Sequence, residues 1–264
     1  MTGDDVSDDT TTAGVRTAAV TGASSGIGRA IATGIGALGW KVALGARRVE
    51  ALAETAALVR DAGGEPFVHA LDVTDPESVD AFFDATDAAL GPVSALVNNA
   101  GTAAPGRFVT GSAAELQREI ATNLVGPFLC SRRALRAMVG EARGDLVFIS
   151  SDTSHAPRPG MLGYSASKGG LETGVRVLQL ELEGSGVRTC IVRVGPTLTE
   201  FADGWDGDRL TEMMELWPRF GIQRHFNTMA PRDVARAVVF ALTQPQGMHV
   251  DCIEVQPQAP VEPG

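Results

Sequence analysis

One tyrosine occurs in the 264-residue chain, and it opens the run Tyr164-Ser165-Ala166-Ser167-Lys168. Only two lysines occur, Lys41 and Lys168, against twenty arginines, so a chain that elsewhere prefers arginine keeps a lysine four residues after its one tyrosine. On a helix those two positions share a face. A phenol ionises near pH ~10 and is a poor base at neutral pH; a nearby ammonium stabilises the phenolate and lowers that value, making Tyr164 a usable proton donor and acceptor. The slender lysine stem also reaches the hydroxyls of a bound sugar, where a forked guanidinium would not substitute simply. The competing reading is an ordinary surface pair. Thirteen positions before Tyr164, Ile149-Ser150-Ser151 ends a strand-like run and brings a hydroxyl toward a substrate carbonyl. A serine there, taken alone, is as readily a turn or cap residue. Ser151, Tyr164 and Lys168 together describe proton transfer to or from the oxygen of a carbonyl or alcohol.

A second constellation, Thr21-Gly22-Ala23-Ser24-Ser25-Gly26-Ile27-Gly28, follows a strand-like run and precedes Arg29-Ala30-Ile31-Ala32 of helical period. Strand, glycine turn and helix N-terminus supply close backbone approach, free N–H donors and a positive dipole end, as a dinucleotide pyrophosphate requires. Gly22, Ser24, Ser25, Gly26, Ile27 and Gly28 are the candidate contacts; the other reading is a glycine-rich turn without a ligand. The spacing G-x-x-x-G-x-G is tighter in its second half than G-x-G-x-x-G. At the end of the second strand, where NAD binders place a carboxylate on the ribose 2′-OH, the chain reads Gly45-Ala46-Arg47-Arg48. Nothing there repels a 2′-phosphate and a guanidinium can hold one, so NADP(H) is favoured over NAD(H). Capping the next helix or facing solvent are the other roles for Arg47 and Arg48. Leu71-Asp72-Val73 ends the third strand, with Asp72 either accepting from the adenine amino group or serving a turn.

The elements that must carry these groups are legible as alternating short apolar runs and longer stretches of helical period. Thr17 to Thr21, Lys41 to Gly45, Phe67 to Leu71, Ala95 to Asn98, Leu146 to Ser150, Val187 to Val194 and Val250 to Val255 read as strands. Gly26 to Leu38, Val49 to Ala62, Pro76 to Leu90, Ala113 to Val139, Tyr164 to Glu183 and Pro231 to Thr243 read as helices. Asp75-Pro76 and Gly111-Ser112 mark starts; Gly39, Gly63 and Gly91 mark stops. This rhythm predicts an α/β fold of the doubly wound, Rossmann type: seven parallel strands with helices on both faces, in one domain over residues 15–256. The stretch from Leu198 to Met229 breaks the rhythm and holds Trp205, Met213, Met214 and Trp217. Apolar residues in so long a loop suggest a lid.

Bulk properties narrow the partners. Hydrophobic residues make up 44% and charged residues 20%, a globular composition. The net charge of -10 repels polyanions and argues against nucleic acid. No apolar stretch reaches membrane-spanning length. Residues 1–14, with four Asp and several Thr, read as a disordered acidic tail rather than a secretory signal, and residues 257–264 as a C-terminal tail. Cys130, Cys190 and Cys252 are far apart, without metal-like spacing, and fit free thiols in a reducing cytoplasm. No metal site is expected.

With these elements in place, the chain resembles the short-chain dehydrogenase/reductase family in its compact single-domain branch, from Thr17 to about Val255. The resemblance rests on five motifs in order: the turn Thr21 to Gly28, Asn98-Asn99-Ala100-Gly101, Asn123, Ser151, and Tyr164-x-x-x-Lys168. It implies that Asn98 secures the central strand, that Asn99, Ala100 and Gly101 lie on the cofactor side, and that Asn123 holds a water in a proton relay from Lys168. It implies too that Ser151 positions the carbonyl while Tyr164 protonates the developing alkoxide as a hydride arrives from the nicotinamide. Tyr164 and Lys168 then also touch the cofactor. After the sixth strand the family's Pro-Gly is replaced by Val194-Gly195-Pro196-Thr197-Leu198-Thr199. Gly195 still allows close approach to the nicotinamide, Thr197 flanks it, and Thr199 matches the usual carboxamide-binding threonine. Val255-Gln256-Pro257-Gln258 replaces the closing glycine pair.

Substrate contacts are expected from Ser151, His155, Met161, Tyr164 and Trp205, with Arg158, Leu162, Met213, Met214 and Trp217 nearby. The lid either covers a fairly apolar carbonyl or alcohol substrate or packs on a neighbouring subunit. The resemblance implies a homo-oligomer, a tetramer or dimer, built on the fourth and fifth long helices, where Arg132, Arg133 and Arg136 are either solvated or at the interface. A nucleotide-sensing binding protein on the same fold is the alternative; it would need the glycine turn but not Tyr164, Lys168, Ser151 and Asn123.

Overall fold

The strands are β1 (Thr17–Thr21), β2 (Lys41–Ala46), β3 (Glu65–Ala70), β4 (Ala95–Asn98), β5 (Gly144–Ser151), β6 (Val187–Val194) and β7 (Cys252–Val255). In this computed structural model, which describes residues 15–202, 205–221 and 225–261, they form one sheet in the order β3-β2-β1-β4-β5-β6-β7. Every pairing is parallel. The order reverses direction between β1 and β4, the place where ligands bind in such sheets. The doubly wound expectation is met, with strand ends within two residues of those read from sequence. The acidic tail expected over residues 1–14 lies outside the described residues.

The helices are α1 (Gly26–Gly36), α2 (Leu52–Asp61), α3 (Pro76–Leu90), α4 (Ala113–Ile120), α5 (Gly126–Gly140), α6 (Leu162–Glu181), α7 (Gly207–Arg219) and α8 (Pro231–Leu242). Ile31 and Ile35 of α1, Leu52 and Val59 of α2, and Val234 and Val238 of α8 meet Val20, Leu44 and Val147 on one face of the sheet. Phe82 and Phe83 of α3, Ala134 and Met138 of α5, and Leu171 and Val175 of α6 meet Ala19, Leu96 and Phe148 on the other. Alternate residues of each strand feed the two cores because side chains alternate across a pleat. Asp75 caps α3 by accepting from Glu77 N, and Ser112 with Glu115 forms a capping box on α4.

Two expectations are corrected. The helix read as Ala113 to Val139 is interrupted at Ala121–Val125 by a π turn, in which Gly126 N–H donates to Ala121 O. Pro127 is the physical reason: it has no N–H to offer the Asn123 carbonyl four residues back. The stretch 198–229 is not loop throughout, since Gly207–Arg219 forms α7 behind Asp206, whose carboxylate accepts from Arg209 N at 2.9 Å. Leu210, Met213 and Trp217 carry the helical spacing that the glycine-rich approach to the segment obscures. Among the described residues no helix is long and apolar enough to cross a membrane.

At the edge of the sheet remote from the glycine turn, buried Asp145 of β5 pairs with Arg16 at 2.7 Å and Arg188 at 2.7 Å. Arg16 also donates to Ser94 O and Leu242 O, and Arg188 to Gln244 O, Pro245 O and Met248 O. Removing the carboxylate leaves two enclosed guanidinium groups without a counter-charge. Asp145→Ala is expected to lower the unfolding free energy by about 3 kcal/mol, measured by denaturant titration, with turnover per folded molecule unchanged.

Candidate active site

The glycine turn is built against the loop that follows β4. Asn99 N and Ala100 N both donate to Thr21 Oγ1 at 3.0 Å, and the Asn99 side chain donates to Thr21 O at 2.9 Å and Gly22 O at 3.2 Å. A Cβ on Gly28 would stand 2.3 Å from Gly22 O and 2.5 Å from Asn99 Nδ2, and one on Gly22 would stand 2.8 Å from Ala100 Cα. Gly22 also has φ +66°. These two glycines therefore answer to packing as well as to any ligand. Ser25 caps α1 with extended backbone and no side-chain bond, which leaves the first-turn N–H groups to another acceptor. Ile27 packs on the core and Ser24 O accepts from Arg29 at 2.8 Å.

Arg47 and Arg48 are exposed at the end of β2, one edge of this cradle. Asp72 takes the turn role: its Oδ1 accepts from Thr74 N at 2.9 Å and Thr74 Oγ1 at 2.7 Å. Burial pushes that carboxyl up, but the Thr74 bonds and the Arg47 charge outweigh it and hold it below the usual range. Val73 is buried under Gly126, whose Cβ would meet it at 2.7 Å. On the opposite side, a Cβ on Gly26 would lie 3.2 Å from Thr199, so the segment after β6 closes on the turn. Thr197 Oγ1 donates to Gly195 O at 3.0 Å. The space over Gly195 is filled from the C-terminal segment, since a Cβ there would be 2.1 Å from Gln256 Oε1. Gln256, noticed in the sequence only as a departure, is thus part of the site.

Ser151, Tyr164, Lys168 and Asn123 are brought together. Ser151 closes β5 and is buried, near enough to Tyr164, in the first turn of α6, to pull that phenol's ionisation down. Lys168, one turn on, is 4% exposed and donates to Ile149 O at 2.7 Å, with its Nζ 5.8 Å from the Tyr164 ring centroid. The expected lowering of the phenol by this lysine is not what the geometry gives. Burial pushes Tyr164 up to about 12, against the pull of Ser151, and burial pulls Lys168 down to about 8, against Glu172. The ammonium points at a carbonyl rather than at the phenol, so burial dominates both groups.

Asn123 sits in the π turn, fully buried. Its Oδ1 accepts from Thr102 N at 2.8 Å, and its amide donates to Thr102 O at 2.8 Å and Ser167 Oγ at 3.1 Å. A Cβ on Gly101 would lie 3.4 Å from Asn123 Oδ1 and 3.9 Å from Lys168 Nζ, so that glycine separates the two. Asn98 donates to Ser131 Oγ at 3.0 Å and ties β4 to α5. Glu172, at i+4 from Lys168, accepts from Ser150, Ser154 and Arg193. Glu119 of α4 is a buried carboxylate that sequence reading missed: it accepts from Ala104 N at 2.9 Å, and its other oxygen would lie 2.1 Å from a Cβ on Gly163.

One side of Tyr164 is roofed. Met161, Met213 and Trp217 are buried with Ala103, and Tyr164, Trp205 and Leu216 pack against them. Phe201 lies between Tyr164 and Trp205, 5.9 Å from each ring centroid. The Trp205 indole N–H is buried and has no hydrogen-bond partner among the described residues. Arg209 pairs with Glu115 at 3.2 Å and Arg107 with Glu212, latching α7 to α4 and to the loop after β4. His155 is not in this cluster; it is exposed and faces Glu254 at 3.7 Å. Leu162 and Met214 are exposed as well. Arg133, left open between solvent and interface, is engaged within the chain by Asp80, Asp84 and Asp87.

Residues 16–209 match the family described as short chain dehydrogenase. The chain is 36% identical over 233 residues to the uncharacterized oxidoreductase YgfF of Escherichia coli (strain K12), covering 86% of this chain and 92% of that protein. It is 33% identical over 243 residues to glycine betaine reductase ATRR of Emericella nidulans, covering 92% of this chain but only 19% of that much longer protein. A solved alcohol dehydrogenase from the archaeon Thermococcus sibiricus, complexed with 5-hydroxy-NADP, superposes with a TM-score of 0.80 at 29% identity, covering 94% of this chain and 100% of that one.

Two outcomes test the geometry. Gly28→Ala drives a methyl into Gly22 O and the Asn99 amide, and is expected to weaken dinucleotide binding at least about tenfold in a fluorescence titration. The second concerns pH. Lys168 is pulled from 10.5 to about 8 on folding, so between those values the unfolded chain binds more protons and stability rises with pH. The gain is complete above the unfolded value and is lost as pH falls through about 8. Denaturant midpoints of the native chain should therefore gain on those of Lys168→Met as pH rises from 8 toward 10.5; parallel curves would contradict the burial of the ammonium.

Proposed function

The chain belongs to the short-chain dehydrogenase family, an oxidoreductase family dependent on NAD(P)(H), and from that premise we propose that it interconverts a fairly apolar carbonyl compound and its alcohol using NADP(H), with Tyr164 as the acid and base. The observation that carries the reading is the gathering of four side chains: Ser151 at the end of β5, Tyr164 and Lys168 one turn apart on α6, and Asn123 across Gly101 from Lys168.

The cradle fits a dinucleotide: Gly22 and Gly28 cannot carry a Cβ, the first-turn N–H groups of α1 are uncapped by Ser25, and Arg47 and Arg48 stand exposed at the end of β2. The turn Gly22 to Gly28 would hold the pyrophosphate, Arg47 and Arg48 the 2′-phosphate, Asp72 and Val73 the adenine edge, and Asn99, Ala100, Gly101, Gly195, Thr197 and Thr199 the nicotinamide half. When bound, the cofactor supplies or takes up the hydride.

Every other task falls to side chains. Ser151 orients the substrate oxygen beside Tyr164, and Tyr164 gives that oxygen its proton in reduction or takes it in oxidation. Lys168 protonated restores the charge balance behind the phenol. Both amide hydrogens of Asn123 are already spent on Thr102 and Ser167. A water in the relay would therefore be held by the Asn123 carbonyl, which Pro127 deprives of its helical donor. Met161, Met213, Trp205 and Trp217 exclude bulk water and favour an apolar substrate. Residues 198–229 act as the lid, and the exposed apolar face of Val125, Val139, Val177 and Leu180 receives a second copy of the chain.

An NADPH- and NADH-linked screen over ketones, aldehydes and alcohols tests the reading. Tyr164→Phe is expected to lower kcat by about 10² to 10⁴ while the Kd for NADPH stays unchanged. Arg47→Ala should weaken NADPH about tenfold and leave NADH binding nearly unaffected. Cofactor binding without turnover of any carbonyl or alcohol would overturn the enzyme reading.

A further inference from the structure

A charged pair stands beside the reactive groups without a part in the chemistry so far. Ser151 Oγ donates to Asp152 Oδ1 at 3.2 Å and accepts from Thr153 N at 3.2 Å. Arg158 grips that carboxylate at both oxygens, Nη1 to Oδ1 at 2.8 Å and Nη2 to Oδ2 at 2.7 Å. Asp152 is 7% exposed, and Gln256 Nε2 reaches its Oδ2 at 3.5 Å. The ring of Trp217, from α7, lies 6.0 Å from the Arg158 guanidinium, and the Trp217 indole donates to Pro159 O at 2.9 Å. A continuous set of contacts thus leads from the lid helix through Arg158 and Asp152 to Ser151.

A hydroxyl has one proton. While Ser151 gives it to Asp152, the serine can only accept, and turning toward a substrate carbonyl costs a bond to a carboxylate. A bare enclosed carboxylate would hold that proton firmly. A bidentate guanidinium draws its charge away and makes it a weaker acceptor. We propose that Asp152 and Arg158 are positioning residues for the reaction, the carboxylate setting the direction of the Ser151 hydroxyl and the guanidinium keeping that hydroxyl releasable to a substrate oxygen. The assignment rests on the carbonyl–alcohol chemistry proposed above.

The same two charges bear on Tyr164 with opposite sign. The phenol is faced by Asp152 and Arg158 from the segment after β5, by Glu119 from α4 and by Lys168 from its own helix. Beyond burial and the pull of Ser151, Asp152 and Glu119 push its ionisation up and Arg158 pulls it down. Any ion pair at this place would act on the phenol with opposite signs, so the effect of each member on turnover is what separates a positioning role from mere bracing.

Because Tyr164 is the sole tyrosine, the near-ultraviolet absorbance of tyrosinate titrates this phenol alone in the full chain, with no substrate and no turnover. Asp152→Asn is expected to lower its midpoint by roughly one pH unit, Arg158→Met to raise it by a similar amount, and the double variant to return it close to the native value. Circular dichroism in the same scan marks any unfolding. In steady-state assays Arg158→Met should lose about tenfold in kcat with KM within about threefold, and adding Asp152→Asn should recover most of the loss. Shifts in the same direction, no shift, or a double variant no better than Arg158→Met would overturn the proposal and leave a structural clamp. Opposite shifts in a protein that turns over no carbonyl or alcohol would support the charge arrangement and overturn the assigned chemistry, so the two failures are separable.

Discussion

The bonds that Thr21 and Asn99 exchange across the β1–β4 junction hold the two halves of the site in one frame. Beyond the ends of adjacent parallel strands no ladder continues, and the segments that follow must diverge to opposite faces of the sheet. The Thr21 hydroxyl accepts two main-chain N–H groups from the β4 side, and the Asn99 amide gives its hydrogens to two carbonyls on the β1 side. The glycine turn is thereby fixed relative to Gly101, and through Gly101 relative to Asn123 and Lys168. A change in that junction would move the glycine turn against Tyr164, Lys168 and Asn123 even with each of those side chains intact.

The second governing term is burial without a full set of partners. Tyr164 and Lys168 each sit where the charged form is disfavoured, so both lean toward neutrality in the free protein. Close by, Glu172 keeps its charge because Arg193, Ser154 and Ser150 outweigh its desolvation. One helix face therefore carries a lysine that sheds its proton easily and, one turn later, a carboxylate that does not readily take one up. The contrast arises from partner count as well as from depth.

Much of this was legible in the sequence because it rests on local rules. Strand and helix periods gave the sheet, Asp75, Ser112 and Gly91 marked boundaries, and the pairing of Tyr164 with Lys168 stood out through scarcity. What escaped depends on contacts between distant segments. Nothing near Glu119 in the sequence says that it will lie against Gly163, nor anything near Gln256 that it will cover Gly195. Asp152 follows Ser151 directly, but its weight comes from Arg158 and from Trp217 of α7. The helix α7 was hidden for a different reason: glycines and an aspartate at its approach read as loop, while its apolar spacing is carried by only three residues. His155 was placed near the substrate by its position in the chain, yet the turn after β5 sends it toward Glu254.

The π turn at Ala121–Val125 has a geometric consequence for how such a site can be inherited. One additional residue in a helix rotates everything after it by about 100° relative to everything before it. Here α4 presents Glu119 toward the start of α6, while α5 presents Ala134 and Met138 to the sheet. Deleting a single residue from this turn would swing one of those faces out of place. The turn therefore works as a phase setting between two helical faces, and lineages of this chain should vary in length almost anywhere on the surface before they vary there.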